Sequence, residues 1–405
     1  MTEPRSQRIL IHGINFWPEL IGVGRFTGEL ADYLAERGHQ VEAITAVPHY
    51  PGWYIRAPYR GCRFYSEQKA GIKVIRAPMV LHSSGKGFWR LLMPLTFALS
   101  AAPIVLWRAL RMQPSTVLCV EPTLMCAPAS LLAAKCVGAR AILHVQDLEL
   151  DAAIAVGHLS EGFLFSAARK FERFLLRRFD AVVTISNKMS ERLAQKGVAA
   201  SRLHVVRNWI DLDKIKPSSK PNGFRRELGL TETDFVVLYA GNLGPKQGLS
   251  TLVQTCKLIS QSNIHFVIAG AGPERSHLMD AGTGLANLHW LPLQPEERLP
   301  ELLNLANLHV VPQQRGTPDL VLPSKLGGTL ASGRPVLVQA EPNTELHNLL
   351  RGATILVPPG DANALADAVL RASRTAPHVD KGYALASLFS RKQNLALFQD
   401  ILLPK

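Results

Sequence analysis

Apolar positions along the chain switch repeatedly between two periods. At 235–239 they form a short continuous β-branched and aromatic run, whereas Leu249, Leu252, Val253, Cys256 and Ile259 recur at helical spacing. The stretch therefore predicts a buried strand, a glycine-containing turn and an amphipathic helix. The same alternation predicts strands at 8–13, 40–45, 115–120, 140–145, 180–186 and 204–208, with a helix over 26–37 that stops at Gly38. Residues 214–223, with two prolines, two serines and a glycine, read as a linker. Beyond it, strands are expected at 235–239, 264–269, 308–312 and 335–339, each followed by a turn and a helix. With 405 residues the chain suits two domains rather than one core, and the pattern predicts an α/β protein with parallel sheets.

The strand ends carry the candidate chemistry. Gly241, Gly244 and Gly248 let the backbone bend toward a ligand, the amides opening the next helix favour an anion, and Lys246 adds a charge. This turn is a phosphate site or an ordinary strand-to-helix turn. Density of such turns favours phosphate: GAGPE follows the strand at 264–269, and Ser324 is placed to cap a helix that Lys325 begins and Gly333 ends. In the first half, Gly22, Gly24 and Gly28 form GxGxxxG, one residue off the dinucleotide fingerprint and too far from the first strand. The aromatic, basic loop 49–63 either stacks an acceptor sugar or only connects elements. Asp147, Glu149 and Asp151 cluster beyond the strand at 140–145, as solvated charge or as a site.

Residues 91–107 contain 17 uncharged positions, interrupted by Pro94 and Pro103 and flanked by arginines. That is shorter than the roughly 20 residues of a spanning helix, so a core helix or a membrane-surface helix is expected. The formal net charge is +13, and +11 of it lies through Ile210, where 26 Lys and Arg face 15 Asp and Glu. Such a balance suits an anionic membrane surface or a phosphate-bearing substrate. Nucleic acid is not expected, because no aromatic-studded basic strand, zinc-finger spacing or recognition helix accompanies the charge. Five cysteines without CxxC spacing read as reduced thiols of a cytoplasmic protein. The first residues enter a strand directly, and no signal peptide is expected. No metal is expected, since the thirteen histidines show no ligand spacing and Asp211-Leu-Asp213 sits beside the linker.

GINFWPELIGVGRFTGELADYLAERGHQVEAIT, ISNKMSERL, VVRNWIDLDKIKP, LYAGNLGPKQG, FVIAGAGPE and PSKLGGTLASGRPVL occur in this order. Together they resemble family 4 retaining glycosyltransferases of the GT-B fold over nearly the whole chain; NLGPKQG, VLPSKL and AEPNTEL resemble fucosyltransferases of colanic acid and related exopolysaccharide pathways. The resemblance implies two Rossmann-like domains with parallel sheets facing an interdomain cleft. It implies an acceptor domain over 1–210, a linker at 211–223, a nucleotide-sugar domain over 224–380, and a final segment, 381–405, crossing back onto the first domain. It also implies a nucleotide-sugar donor, with GDP-fucose or another GDP-sugar favoured, a polyprenyl-diphosphate-linked acceptor at the inner membrane face, and no cofactor.

Carried onto this chain, the resemblance places Lys246 and Lys325 on the donor diphosphate, with Gly22, Gly24, Gly241, Asn242, Gly244, Gly248, Gly270, Gly272, Pro273, Asp319 and Ser324 around the donor. Asp147 or His144 would orient the acceptor hydroxyl, and Tyr50, Trp53 and Glu149 would bind the acceptor. The chain departs from the family pattern in three places. Asn242 stands where an arginine is usual, Gln146 stands where a histidine is usual, and Val321 and Gly328 stand at the positions of the usual glutamate pair. Two rivals follow from the departures and from the doubled Rossmann pattern: a non-catalytic sugar-nucleotide-binding subunit and a nicotinamide-dependent oxidoreductase. The second would need a GxGxxG directly after the first strand and an acid closing the second, and neither is in place.

Overall fold

In the computed structural model, residues 6–19, 22–50, 54, 55, 57–81, 88–148, 151, 163–259, 261–317, 319–375 and 377–403 are described. The chain forms two compact units, Met1–Arg207 with Leu395–Lys405, and Asn208–Asn394.

The first unit is built on β1 (Arg8–Gly13), β2 (Gln40–Ala46), β3 (Tyr65–Lys69), β4 (Ile72–Ala77), β5 (Thr116–Glu121), β6 (Arg140–Val145), β7 (Ala181–Thr184) and β8 (Leu203–Val205). Their order is β3-β4-β2-β1-β5-β6-β7-β8. All pairs are parallel except the β3–β4 hairpin. The sequence pattern did not predict that hairpin: its turn is only two residues, Ala70 and Gly71, both at positive φ (48° and 82°), and β3 alternates half-buried and exposed positions at the sheet edge. Its anchor is Arg76, fully buried, which donates to Glu67, to the Ala46 carbonyl at 3.2 Å and to the Trp17 carbonyl at 2.7 Å.

The helix expected from residue 26 begins earlier, at Val23–Glu36. The expectation that Pro94 and Pro103 interrupt the apolar stretch is corrected: Phe88–Met112 is one helix of 25 residues with both prolines inside it. Met93, Phe97, Ala101, Val105, Ala109 and Met112 fall on one face and are buried, against β1, β2, β4 and the helix Ala127–Val137. The final helix, Arg391–Leu402, belongs to the first unit from Leu395 onward. Thr116 Oγ1 donates to the Leu402 carbonyl at 2.7 Å, Arg140 Nη1 donates to that of Ile401 at 3.0 Å, and the Phe398 ring lies edge-on to His144 at 4.8 Å.

The second unit is a wholly parallel sheet of β9 (Phe235–Ala240), β10 (Ile264–Ala269), β11 (Leu288–Leu291), β12 (Leu308–Val311), β13 (Val336–Gln339) and β14 (Ile355–Val357), in the order β11-β10-β9-β12-β13-β14. The short β11 and β14 lie at its edges. Apolar side chains pack on both faces, as a parallel sheet requires.

Three buried histidines, His12, His144 and His309, are pushed by burial to about 3. The unfolded chain protonates histidine near pH 6.5, so below that pH it binds protons that the folded state refuses. Stability is therefore expected to fall as pH drops from 6.5 toward 3. Urea midpoints measured at pH 7 and pH 5 should show this, and a His144→Leu variant should lose part of the difference; an unchanged difference would count against the assignment.

Candidate functional site

The glycine-rich loops of the second unit are closed on one another before any ligand is considered. Gly241 lies just beyond β9 and Gly270 and Gly272 just beyond β10, at φ of 154°, 148° and 159°. The Gly241 amide donates to the Ala269 carbonyl at 3.0 Å, that of Leu243 to Ala271 at 2.9 Å, and that of Glu274 back to Leu243 at 3.0 Å. A Cβ at Gly270 would lie 1.9 Å from the Gly241 carbonyl oxygen, and one at Gly272 would lie 2.3 Å from that of Leu243. These two glycines, expected at the donor, are required in the first place by loop-to-loop contact; Pro273 beside them is exposed. Gly248, at φ 61°, abuts the backbone of Gln313 and Gln314, and the Gln314 amide donates to the Lys246 carbonyl at 3.1 Å. Three strand-end loops thus share one backbone framework.

Lys325 reaches into that framework. Its Nζ donates to Tyr239 Oη at 2.7 Å and Gln247 Oε1 at 2.8 Å and lies 4.1 Å from the centre of the Tyr239 ring. The phenol in turn donates to the Asn242 carbonyl at 2.6 Å. Its Cε and Nζ lie 3.2 and 3.4 Å from where a Cβ of Gly241 would stand, so the absence of a side chain there makes room for the lysine. Both partners are neutral, and among the described residues no carboxylate pairs with Lys325. Burial lowers it from the ordinary lysine range to about 7. Tyr239 and Gln247, which hold this lysine, were not singled out in the sequence; a hydroxyl-bearing side chain near the end of an otherwise apolar strand was the available signal. Lys246, Asn242 and Ser324 are exposed around the same loops.

One expectation for this unit is corrected, and a second residue proves to have a structural partner. Ser324 does not cap a helix: the helix is Leu326–Ala331, its cap position is Lys325, and no side chain closes it. Asp319 is engaged elsewhere, its carboxylate accepting the Glu345 amide at 3.0 and 2.8 Å at the start of the helix Glu345–Leu350. That bond satisfies one of the helix's unpaired amides.

In the first unit, the loop after β1 is organised by Glu19, a buried carboxylate also missed from sequence. It accepts Asn15 Nδ2 at 2.8 Å and the amides of His49 and Tyr50 at 3.3 and 3.1 Å. A Cβ at Gly24 would stand 2.6 Å from Glu19 Oε2, so this glycine admits the glutamate. Gly22, at φ 67°, opens the Val23–Glu36 helix beside the Tyr50 ring. His144 is corrected as a candidate: it is 1% exposed, under Phe398, and neutral, so it offers no face to an acceptor. Asp147 is half-buried and accepts the Leu148 amide at 2.9 Å through one oxygen. Asp151 is a structural ion-pair partner of Arg192 and Lys196, each at 2.5 Å. Burial alone would raise its carboxyl, but the bonds from Lys196 and Arg192 outweigh this and hold it below the usual range. Trp53 and Glu149 lie outside the described residues.

Among the described residues no group of three His, Cys, Asp or Glu side chains could hold a metal. The Asp211 carboxylate of the DxD sequence accepts the amides of Asp213 and Lys214 at 2.9 and 3.4 Å, closing its own turn.

Two parallel-sheet α/β units, the second carrying interlocked glycine loops around a lysine, define the architecture of a GT-B glycosyltransferase. Sucrose-phosphate synthase from Thermosynechococcus elongatus superimposes with a TM-score of 0.72 at 16% identity, covering 98% of each chain. Anabaena Alr3699/HepE, solved in complex with UDP-glucose, superimposes at 0.69 and 16% identity over 98% of this chain and 99% of its own. Residues 22–209 match the Glycosyl transferase 4-like domain, and residues 234–374 match Glycosyl transferases group 1. The chain is 36% identical over 394 residues to the Escherichia coli (strain K12) protein named as a colanic acid biosynthesis glycosyl transferase, WcaI, covering 94% of this chain and 96% of the relative. The chain belongs to this family of 4-like glycosyltransferases.

Proposed function

We propose that the protein moves a sugar, with retention of anomeric configuration, from a nucleotide diphosphate sugar to a lipid-linked saccharide during assembly of a colanic-acid-like exopolysaccharide. A GDP-sugar, and GDP-fucose in particular, is the favoured donor. The observation that carries the site is Lys325, a desolvated lysine with only neutral partners beneath the Gly241–Gly248 loop. A half-buried ammonium without a counter-ion is costly, and the donor's diphosphate supplies that counter-ion.

In this reaction the bond between the anomeric carbon and the phosphate oxygen breaks as the acceptor oxygen bonds to that carbon on the same face. The acceptor proton passes to the leaving phosphate. Lys246, Lys325 and the loop amides stabilise the charge developing on the diphosphate, Ser324 adds a hydroxyl, and Asp147 orients the acceptor hydroxyl. No metal enters the scheme. The acceptor's polyprenyl anchor places the enzyme at the inner face of the cell membrane.

The test is a thermal-shift panel of GDP, UDP, ADP, dTDP, CMP and NAD. A ligand at 100 times its Kd stabilises the folded state by about 2.7 kcal/mol. GDP is expected to raise the melting temperature, and Lys246→Ala is expected to abolish that shift and to cost about 2 to 4 kcal/mol of transition-state stabilisation. A response to UDP alone would transfer the reading to a UDP-sugar, and a response to NAD alone would overturn it. Binding of GDP-fucose without transfer or hydrolysis would leave a non-catalytic binding subunit.

A further inference from the structure

The helix Phe88–Met112 carries two opposite stripes, and only one of them is used by the fold. Met93, Phe97, Ala101, Val105, Ala109 and Met112 are buried, whereas Leu95, Leu99, Pro103, Trp107 and Leu110 are exposed at spacings of four, four, four and three. Leu99 is 67% exposed and Leu110 56%. This outer stripe runs about 22 Å at 1.5 Å per residue. The neighbouring Leu132, on the helix Ala127–Val137, and Met125 are exposed as well. A contiguous apolar ridge of this kind marks an interaction surface.

The charges around the ridge identify what covers it. Neither the Phe88–Met112 helix nor the Ala127–Val137 helix contains a single acidic residue. Arg108 is committed to Glu42, its Nε donating to Oε2 at 2.7 Å, but Arg111 and Lys135 are exposed near the helix ends. Two copies of such a face would bring like charges together. Leucines along the middle, a tryptophan near one end and cations at the margin instead match the acyl chains, interface and headgroups of an acidic bilayer. The helix is long and apolar enough to cross a membrane, yet one side of it is sealed against β1, β2 and β4, so with the unit folded it can only lie on the surface.

We infer that the Leu95–Leu99–Pro103–Trp107–Leu110 ridge is the membrane-docking face of this protein and that its partner is a bilayer containing acidic phospholipid. This names the contact surface for the membrane location proposed above and rests on that reading. Donor binding and docking involve separate units, so their tests fail separately.

The full-length protein is mixed with vesicles of phosphatidylcholine, with or without phosphatidylglycerol, and floated. Wild type is expected to float with the phosphatidylglycerol vesicles and to be released by added salt. Leu99→Glu combined with Leu110→Glu should weaken flotation by at least about tenfold, with an unchanged melting temperature and an unchanged response to GDP. Phe171→Ser combined with Phe174→Ser, which removes an exposed stacked aromatic pair elsewhere in this unit, on the basic helix Phe163–Leu176, should float as wild type. The inference is overturned by wild type that does not float or by a double-glutamate variant that floats normally. It is equally overturned by loss of flotation in the phenylalanine variant, or by a wild-type dimer that the glutamates split into monomers.

Discussion

Lys325→Met is expected to lower kcat/KM for sugar transfer by roughly 30- to 1000-fold, the range that 2 to 4 kcal/mol of lost charge stabilisation represents. The same substitution should raise the melting temperature at pH 7. The two effects share one cause. The wild-type lysine is desolvated and has only Tyr239 and Gln247 as partners, which holds it near 7 instead of the ordinary lysine range. Between pH 7 and about 10.5 the unfolded chain therefore binds a proton that the folded protein does not, so this group's contribution to stability improves as pH rises through that window and is unfavourable below it. Methionine removes the penalty and with it the charge that meets the diphosphate. Bound diphosphate raises the lysine again, so donor binding takes up a proton above pH 7 and affinity should weaken between pH 7 and 9. Lys325→Arg, charged throughout, should flatten that profile. Calorimetry of GDP binding in buffers of differing ionisation enthalpy would measure the proton directly, and a profile that is already flat in wild type would remove Lys325 from the diphosphate.

Gly270→Ala should have the largest effect on the fold of the glycine-rich loops. The added carbon would stand 1.9 Å from the Gly241 carbonyl oxygen, a backbone atom that cannot rotate away, and φ at this position is 148°. A positive-φ alanine costs on the order of 1 to 3 kcal/mol, and overpacking costs a similar amount. The loops after β9 and β10 must part, breaking the bonds that join Gly241 to Ala269 and Leu243 to Ala271. The expected outcome is a lower urea midpoint together with a lost GDP response. Gly284→Ala is the control: it shares a positive φ of 81° but has nothing within 4 Å of its Cβ position, so it should cost less and leave the GDP response intact. Equal losses in both variants would mean that backbone strain, not the approach of the two loops, is what Gly270 relieves.

The exposed ridge of the Phe88–Met112 helix links these site arguments to the acceptor. A transferase acting on a lipid-linked sugar meets its acceptor in two dimensions. A docking face on the basic first unit would therefore set acceptor access without touching the glycine-rich loops of the second, and transfer to a water-soluble acceptor should survive the Leu99→Glu and Leu110→Glu changes even as flotation weakens.

The alternation of apolar periods, a short-range property, determined much of this protein by itself. Runs such as 235–239 and 264–269 form strands because a short, mainly apolar and β-branched run suits a pleated strand covered on both faces, and four successive side chains of each are buried here. Ordered motifs likewise carried the family. The sequence missed elements defined by pairing partners: β3 is polar and alternates weakly, and β11 and β14 are edge strands of four and three residues that exist because β10 and β13 offer them backbone groups. Tertiary structure alone decided what each polar group faces. His144 reads as a strand-end histidine until Phe398, 254 positions later in the chain, covers it. Asp319 reads as a free acid until the start of the Glu345–Leu350 helix claims both oxygens. Gly270 and Gly272 read as ligand glycines, and only the fold shows that the Gly241–Leu243 backbone packed against them requires glycine as well. Lys325 stands out as the centre of the candidate site for the same reason: burial and partners are properties of contacts between distant segments, and periodicity holds no record of which segments those are.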